Sequence, residues 1–472
     1  MSTPQISKNN IWRYSFFIIG LIALHVFLTF YQAKTHNNNY NYLTRSWGFN
    51  HIKFYDTPFI ISFYLLALTA AIPLINSKLF YFIETLSANL ERIKKGKILC
   101  FILIGFIAGI LFYIFRNKYF LLGDYTLRVT QTMKQDFLAT EYVTMKILYH
   151  VSIFLGKYNL TPIQSFVLVS CISGGLYITI SCFIADLLGK NNLQRFFLLI
   201  GGTTSGMLLI FCGYLDIYAL PLLFTIIYIY AALLYIRNKK YFLFALAGLI
   251  IASSGHLLCI SFAPSVFIAW YYHNKTKLPF ITKMQNKTKV YSILALTLLA
   301  IILAYKSKTG FILPVKAPPT NLKYLTIFSF THLWEFINGQ LLGCGISFIL
   351  VFYLIYKTIK EKIVLSIETY FFIAASAGMT LTVFLANLHR GSGDWDIQSF
   401  TAITLNTSII LLLLSIQNKH KQLTNYLFII VVLFNSLNAL LWIHINSNDK
   451  SLAKVENMLT NDPGTYYTSK LP

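Results

Sequence analysis

Residues 162 to 186 read Pro-Ile-Gln-Ser-Phe-Val-Leu-Val-Ser-Cys-Ile-Ser-Gly-Gly-Leu-Tyr-Ile-Thr-Ile-Ser-Cys-Phe-Ile-Ala-Asp, with no charge before the closing Asp186. A helix rises 1.5 Å per residue, so such a run crosses a hydrocarbon core about 30 Å thick. It is read as a membrane span, and the rest of the chain repeats it. Apolar runs bounded by charge or by Pro, Gly and Asn breaks lie near 11 to 31, 57 to 76, 98 to 115, 162 to 186, 194 to 212, 217 to 236, 241 to 254, 257 to 272, 290 to 305, 345 to 357, 367 to 387, 397 to 416 and 425 to 445. That makes about thirteen spans. The two runs either side of Ser253-Ser254-Gly255-His256 are short, either tilted spans or a re-entrant hairpin, which sets a range of 11 to 13. The first run exceeds a signal-peptide core, and Thr29-Phe30-Tyr31-Gln32 stands where a small-residue cleavage site would follow, so it is read as a retained span.

Composition supports an all-α polytopic fold. Of 472 residues, 56% are hydrophobic and 12% charged, with a mean hydropathy of +0.62. This excludes a soluble globular enzyme and leaves no room for a large soluble domain. The net charge of +23 would suggest nucleic acid on an ordinary domain. Here the basic residues occupy short breaks between apolar runs, not a stripe that tracks phosphates, so they are read as topological charge and nucleic acid is not expected as a partner. With a cytosolic N-terminus, 22 of the 39 Lys and Arg fall in the cytosolic breaks, which hold about half as many residues as the outer segments. Of the 16 acids, 11 fall outside, Glu141 and Glu335 among them. Candidate chemistry therefore faces away from the cytosol, as in a multi-pass protein of a bacterial inner membrane.

Residues 1 to 445 form the transmembrane domain, with outer loops at 32 to 56, 116 to 161, 306 to 344 and 388 to 396; residues 446 to 472 are a polar outer tail. No internal repeat is visible. Ser77 to Lys97 is amphipathic and reads as an interfacial helix with its lysines toward anionic headgroups. All six cysteines lie in or at the edge of apolar segments, with no CxxC and no His at zinc spacing, and read as small core residues.

Five outer motifs carry the chemistry. Gly123-Asp124-Tyr125-Thr126-Leu127-Arg128 places a carboxylate just past a span end. A base that deprotonates an acceptor hydroxyl must sit where a hydrophilic acceptor and a membrane-embedded donor both reach it, which is this depth. The structural alternative is an interfacial Asp124 paired with Arg128 four residues on, and the two readings weigh about evenly. In Gly213-Tyr214-Leu215-Asp216-Ile217-Tyr218, a carboxylate sits in a tight outer turn; on local grounds a helix N-cap is slightly the better reading of Asp216. His256 opens the next short turn and reads first as a hydrogen-bonded structural residue. His389-Arg390-Gly391-Ser392-Gly393-Asp394-Trp395-Asp396 packs cations, glycines and acids at a span boundary, a composition suited to gripping a phosphate with Arg390. Asp394 and Asp396 would hold a divalent ion or position hydroxyls. His332-Leu333-Trp334-Glu335-Phe336-Ile337-Asn338 reads as a helix lying in the interface. Walker A, His-Glu-x-x-His and GxSxG motifs are missing. A nucleotide sugar in the cytosol does not suit outside-facing acids, which points to a lipid-linked substrate.

In their order along the chain, Gly123-Asp124 after an early span, the Gly213-to-Tyr218 turn, His256 opening a short span, His332-Leu333 with Asn338, and the late Asp394-Trp395-Asp396 resemble the polytopic bacterial glycosyltransferases of the GT-C type. That group includes relatives of protein O-mannosyltransferases and of the lipid A aminoarabinose transferase. The likeness spans about residues 98 to 416, as order and topology. The chain departs from it in Tyr125, where a further Gly is commoner, in Asp216, where Glu is commoner, and in lacking a second acid immediately beside Asp124. The metal, a divalent cation such as Mg or Mn, and the acceptor are left open by that departure.

The resemblance implies inverting transfer of a sugar from a polyprenyl-phosphate donor to an extracytoplasmic acceptor. Asp124 would be the general base. Arg390, with His256, would stabilise charge developing on the lipid phosphate, and Asp216, Asp394 and Asp396 would orient sugar hydroxyls or the base. Arg128 and His389 complete the substrate-binding set. Trp334 and Trp395 are read as interface anchors ahead of sugar platforms. A transporter or flippase of lipid-linked saccharides is the alternative, and a polysaccharide polymerase or ligase a third reading. A carrier needs polar residues near mid-membrane, whereas nearly all ionisable groups here sit at span ends, with His25 and Asp186 the possible exceptions.

Overall fold

A computed structural model describes residues 8–30, 48, 51–90, 96–118, 125–274, 326–386 and 395–449, which are helical with no β-strand among them. Helix α1 (Lys8–Phe30) is followed by α2 (Thr57–Ala71) and α3 (Pro73–Leu90), which meet at 85°. Pro73 lacks the amide that would continue the ladder and its ring clashes with the preceding turn, so the span stops there. Thus the stretch from 57 to 76 is a shorter span than its hydropathy suggests. The amphipathic helix expected from Ser77 starts four residues earlier and lies across the bundle. Its Asn76 and Phe80 face inward, and Asn76 Nδ2 donates to the carbonyls of Ala70 and Tyr426 at 3.2 Å each.

The chain continues through α4 (Lys97–Ile114), α5 (Tyr125–Met133), α6 (Tyr142–Gly156) and α7 (Pro162–Leu188). Thr161 and Gln164 cap α7 reciprocally, satisfying two of its orphan amides. Then come α8 (Asn192–Thr203), α9 (Ala219–Arg237), α10 (Phe242–Gly255), α11 (Ala263–Asn274), α12 (Phe330–Cys344) and α13 (Ser347–Lys360). The last two meet at 93° across Gly345, whose φ of +61° suits a residue without a Cβ. Helices α14 (Ile367–Leu385), α15 (Trp395–Gln398), α16 (Phe400–Ile416) and α17 (Lys421–Asn446) complete the described chain.

Seven segments are long and apolar enough to cross a membrane: α1, α4, α7, α9, α14, α15 with α16, and α17; counting each bent pair as one span gives nine. The chain is a helical, multi-pass membrane protein. Of the other four apolar stretches, 194 to 212 is α8 followed by a 3-10 turn (Gly206–Phe211), and 241 to 254 is the short α10. The stretch at 257 to 272 is a 3-10 turn (Leu257–Phe262) running into α11, and 290 to 305 lies outside the described residues.

The segment α15–α16 is the axis of the bundle, 89% buried. At one end of the bundle, Asp186 is held by Lys97 and by Arg195 at 3.0 Å, and Glu361 by Lys357 at 2.6 Å and His420 at 2.5 Å. This is the end that the charge count assigns to the cytosol. The opposite end carries α5, α6, α12 and α15. Five cysteines are buried and Cys100 is exposed, all as free thiols.

Helix α4 is the peripheral extreme, with Gly105 and Phe112 its only buried residues. Lipid provides no hydrophobic drive for helix pairing, so α4 is held by backbone approach to α7 at small residues. A Cβ on Gly105 would lie 2.5 Å from the Gly175 carbonyl, and one on Gly175 would lie 2.7 Å from the Gly105 carbonyl. Gly175→Leu is expected to cost about 1–3 kcal/mol by overpacking, lowering the midpoint of thermal unfolding in nanodiscs. Gly20→Leu, at a glycine with nothing within 4 Å of a built Cβ, should leave the midpoint in place.

Candidate functional site

At the end carrying α5, α6, α12 and α15, short connections bring distant polar residues together. Gly213, with φ +62°, reverses the chain after the 3-10 turn Gly206–Phe211, and the Asn117 amide donates to the Cys212 carbonyl at 2.8 Å. The reversal delivers Tyr214 against α15. Its hydroxyl donates to Asp396 Oδ2 at 2.8 Å, while Oδ1 of Asp396 accepts the Ile397 amide at 2.9 Å. The Tyr214 ring meets Trp395 edge-on at 5.4 Å, and Trp395 meets Trp442 edge-on at 5.6 Å. Trp395 is fully buried, so it is a wall of the interior and not the interface anchor its sequence position suggests. Asp396 lies in α15, one residue past its start, instead of in an outer loop.

Asp216 is also buried, and its Oδ1 accepts the Ile217 amide at 2.7 Å. Helix α9 begins at Ala219 with Tyr218 in the capping position, so the N-cap reading of Asp216 is corrected. The carboxylate sits in the turn before the helix and adds to the negative field there.

The turn at Gly255-His256 is tied to α6 from both sides. The Thr144 hydroxyl donates to the Gly255 carbonyl at 2.8 Å, and the Leu257 amide donates to the Thr140 carbonyl at 2.9 Å. His256 Nδ1 accepts the Leu258 amide at 3.1 Å, which places the proton of the neutral ring on Nε2. That nitrogen faces Glu141 Oε1 at 3.6 Å. On the same oxygen, Arg128 Nη2 approaches to 3.4 Å, and Arg128 Nη1 donates to Gln131 Oε1 at 3.3 Å. His256 is thus structural, as its local sequence suggests, and part of an ionic cluster as well.

Tyr218 lies at the centre. Its ring is 5.4 Å from His256 and 5.8 Å from Phe400. Burial pushes its hydroxyl pKa well above the ordinary value, Asp396, Asp216 and Glu141 push it further, and Arg128 opposes them. The phenol therefore stays protonated at any physiological pH.

Of the residues singled out in sequence, Arg128, Asp216, His256 and Asp396 converge on Tyr218, while Asp124, His389, Arg390 and Asp394 lie outside the described residues. Sequence reasoning missed Glu141 as a site residue, though it counted it among the outer acids. It also missed the inward face of α12. Phe328, Phe330, Leu333 and Ile337 are exposed, whereas His332, Glu335 and Asn338 are buried. The helix is amphipathic with its polar face inward, and the recurrence of His332, Glu335 and Asn338 every three residues was the available signal. Among the described residues, no group of three or more His, Cys, Asp or Glu is placed to hold a metal ion. Compared with known proteins, the chain matches no family profile, no curated protein and no solved structure.

Arg128 and Glu141 have side chains only 13% and 6% exposed, so removing one strands the other in a poorly solvated site. Arg128→Met is expected to lower stability by about 3–5 kcal/mol. Adding Glu141→Leu should restore the thermal midpoint to near that of the parent. A double variant no better than the single would show that the pair is not what holds α5 to α6.

Proposed function

We propose that the chain is an integral membrane glycosyltransferase that moves a sugar from a polyprenyl-phosphate donor to an acceptor on the face opposite the cytosol, with inversion. The observation that carries this reading is the convergence of Arg128, Glu141, Asp216, His256 and Asp396 around Tyr218 at one end of an apolar bundle. Charges are expensive there, and their concentration at one depth marks a place where hydrophilic and membrane-borne reactants meet.

In this reading Asp124, four residues before Arg128 in the sequence, takes the proton of the attacking acceptor hydroxyl. The acceptor oxygen bonds to the anomeric carbon as the bond to the lipid phosphate breaks, and the phosphate leaves with the bonding pair. Guanidinium charge from Arg390 and Arg128 offsets that negative charge. Asp216 and Asp396 bind sugar hydroxyls, with the Tyr214 hydrogen bond holding Asp396 in one rotamer. His389 and Asp394 complete the substrate-binding set that the resemblance implies. The metal requirement stays open, with a divalent cation as the candidate.

One observation favours a second reading, a carrier of lipid-linked saccharides. Asn406, midway along α16, is fully buried, and neither amide atom of its side chain has a hydrogen-bond partner among the described residues. A lone neutral amide does not balance a phosphate, however, and the ionisable groups of the described spans lie at or near their ends, which keeps catalysis ahead.

The test is turnover in lipid nanodiscs with radiolabelled polyprenyl-phosphate sugars and cell-envelope extract, read as release of free polyprenyl phosphate. Asp124→Asn should abolish release while leaving expression and folding intact. Arg390→Ala is expected to lower it by at least ~100-fold, as loss of a charge-stabilising donor does. Donor binding without turnover in the unmodified protein would favour the carrier.

A further inference from the structure

Two polar atoms at the centre of the cluster are unused. Glu141 is 4% exposed, and while Oε1 faces both Arg128 and His256, its Oε2 has no hydrogen-bond partner among the described residues. Tyr218 is 5% exposed; its ring packs on His256 and Phe400, yet its hydroxyl makes no hydrogen bond among the described residues. The two side chains flank the same imidazole. The neighbouring Tyr214 hydroxyl, by contrast, has Asp396.

A buried carboxylate oxygen left unpaired carries a desolvation cost, and a phenol beside the same imidazole with no hydrogen bond among the described residues adds a second open position, so together they mark a place that a ligand fills. Their chemistry restricts the ligand. The carboxylate oxygen only accepts, and the phenol, held in its protonated form, donates. A phosphate would satisfy Tyr218 and be repelled by Glu141. A cation would satisfy Glu141 and leave the phenol proton without an acceptor. An alcohol hydroxyl does both at once, donating to Glu141 Oε2 and accepting from Tyr218.

We infer that Glu141 Oε2 and the Tyr218 hydroxyl together bind one hydroxyl of the transferred sugar, with the Tyr218 and Phe400 rings beside its apolar face. The inference rests on the glycosyltransferase reading and assigns a substrate contact within the same site. Arg128 and His256 act through Glu141, holding Oε1 so that Oε2 is presented.

The experiment uses the full chain in nanodiscs and reads donor affinity from ligand-dependent shifts in the thermal midpoint, which need no turnover. Polyprenyl-phosphate-linked glucose, mannose, galactose and N-acetylglucosamine are compared first. The tightest binder is then tested against its set of single-deoxy forms on the unmodified protein and on Tyr218→Phe, which removes one oxygen. The variant should bind the parent sugar roughly ten-fold more weakly with its ligand-free midpoint unchanged, the loss of one hydrogen bond. One deoxy form should bind the unmodified protein more weakly, and the variant should no longer distinguish it from the parent. Glu141→Gln, a less conservative change because it also alters the Arg128 pair, should lose discrimination against the same deoxy form.

Equal weakening of every deoxy form by Tyr218→Phe, or parent binding unchanged in the variant, would overturn the contact while leaving the transferase reading intact. The predicted deoxy pattern with no sugar transfer by the unmodified protein would keep the contact and overturn the transferase. Absence of binding by any lipid-linked sugar would overturn both.

Discussion

A bilayer offers no hydrogen-bond partner to a polar atom, and that constraint orders this structure. Polar side chains turn inward and find partners on other helices, while large apolar ones face the lipid. Asn435 shows the pattern: its Oδ1 accepts the Ile346 amide at 3.1 Å and its Nδ2 donates to the Ser347 hydroxyl at 2.8 Å, satisfying the backbone where α12 bends into α13. The Asn338 Oδ1 accepts the Gly48 amide at 2.7 Å and pins the segment before α2 to α12. Each of the two bent helix pairs thus has a side chain assigned to backbone groups the bend frees. Such bends let α12 lie across the end of the bundle and supply a floor of polar residues near α15.

The same constraint explains which parts of the fold were legible in the sequence. The positions of the longest spans were, because hydrocarbon thickness fixes their length and a run such as 162 to 186 has no other use. Breaks were less so. Helix α2 ends just before Pro73, a visible stop, but apolar residues continue past it and conceal the bend. The 3-10 turns Gly206–Phe211 and Leu257–Phe262 are as apolar as the helices they interrupt, so hydropathy runs through them. The inward face of α12 was misread because a polar helix face usually meets water, whereas here His332, Glu335 and Asn338 meet protein.

Legibility of the site divides along the same line. Asp216, His256 and Asp396 stood out because each is a polar residue at the edge of an apolar run. Glu141 did not, although it immediately precedes the short apolar helix α6, because 116 to 161 reads as one long outer loop. Its importance comes from the bond between the Leu257 amide and the Thr140 carbonyl, which brings His256 to it from more than a hundred residues away. Trp395 was misassigned for a related reason: tryptophan at a span boundary ordinarily anchors at the interface. Here Tyr214 and Trp442 enclose it.

Within the cluster, the hydrogen bond at His256 Nδ1 decides how positive charge is distributed. Because that nitrogen accepts the Leu258 amide and Nε2 faces Glu141, the neutral ring already uses both of its positions. The imidazole is therefore a pin between the turn after α10 and the carboxylate of Glu141. The family resemblance also has it lend positive charge to a departing phosphate. In the proposed reaction that charge comes from guanidinium groups, which stay protonated whatever their surroundings. Arg128, tethered to Glu141 and Gln131, is the one whose placement the fold already fixes.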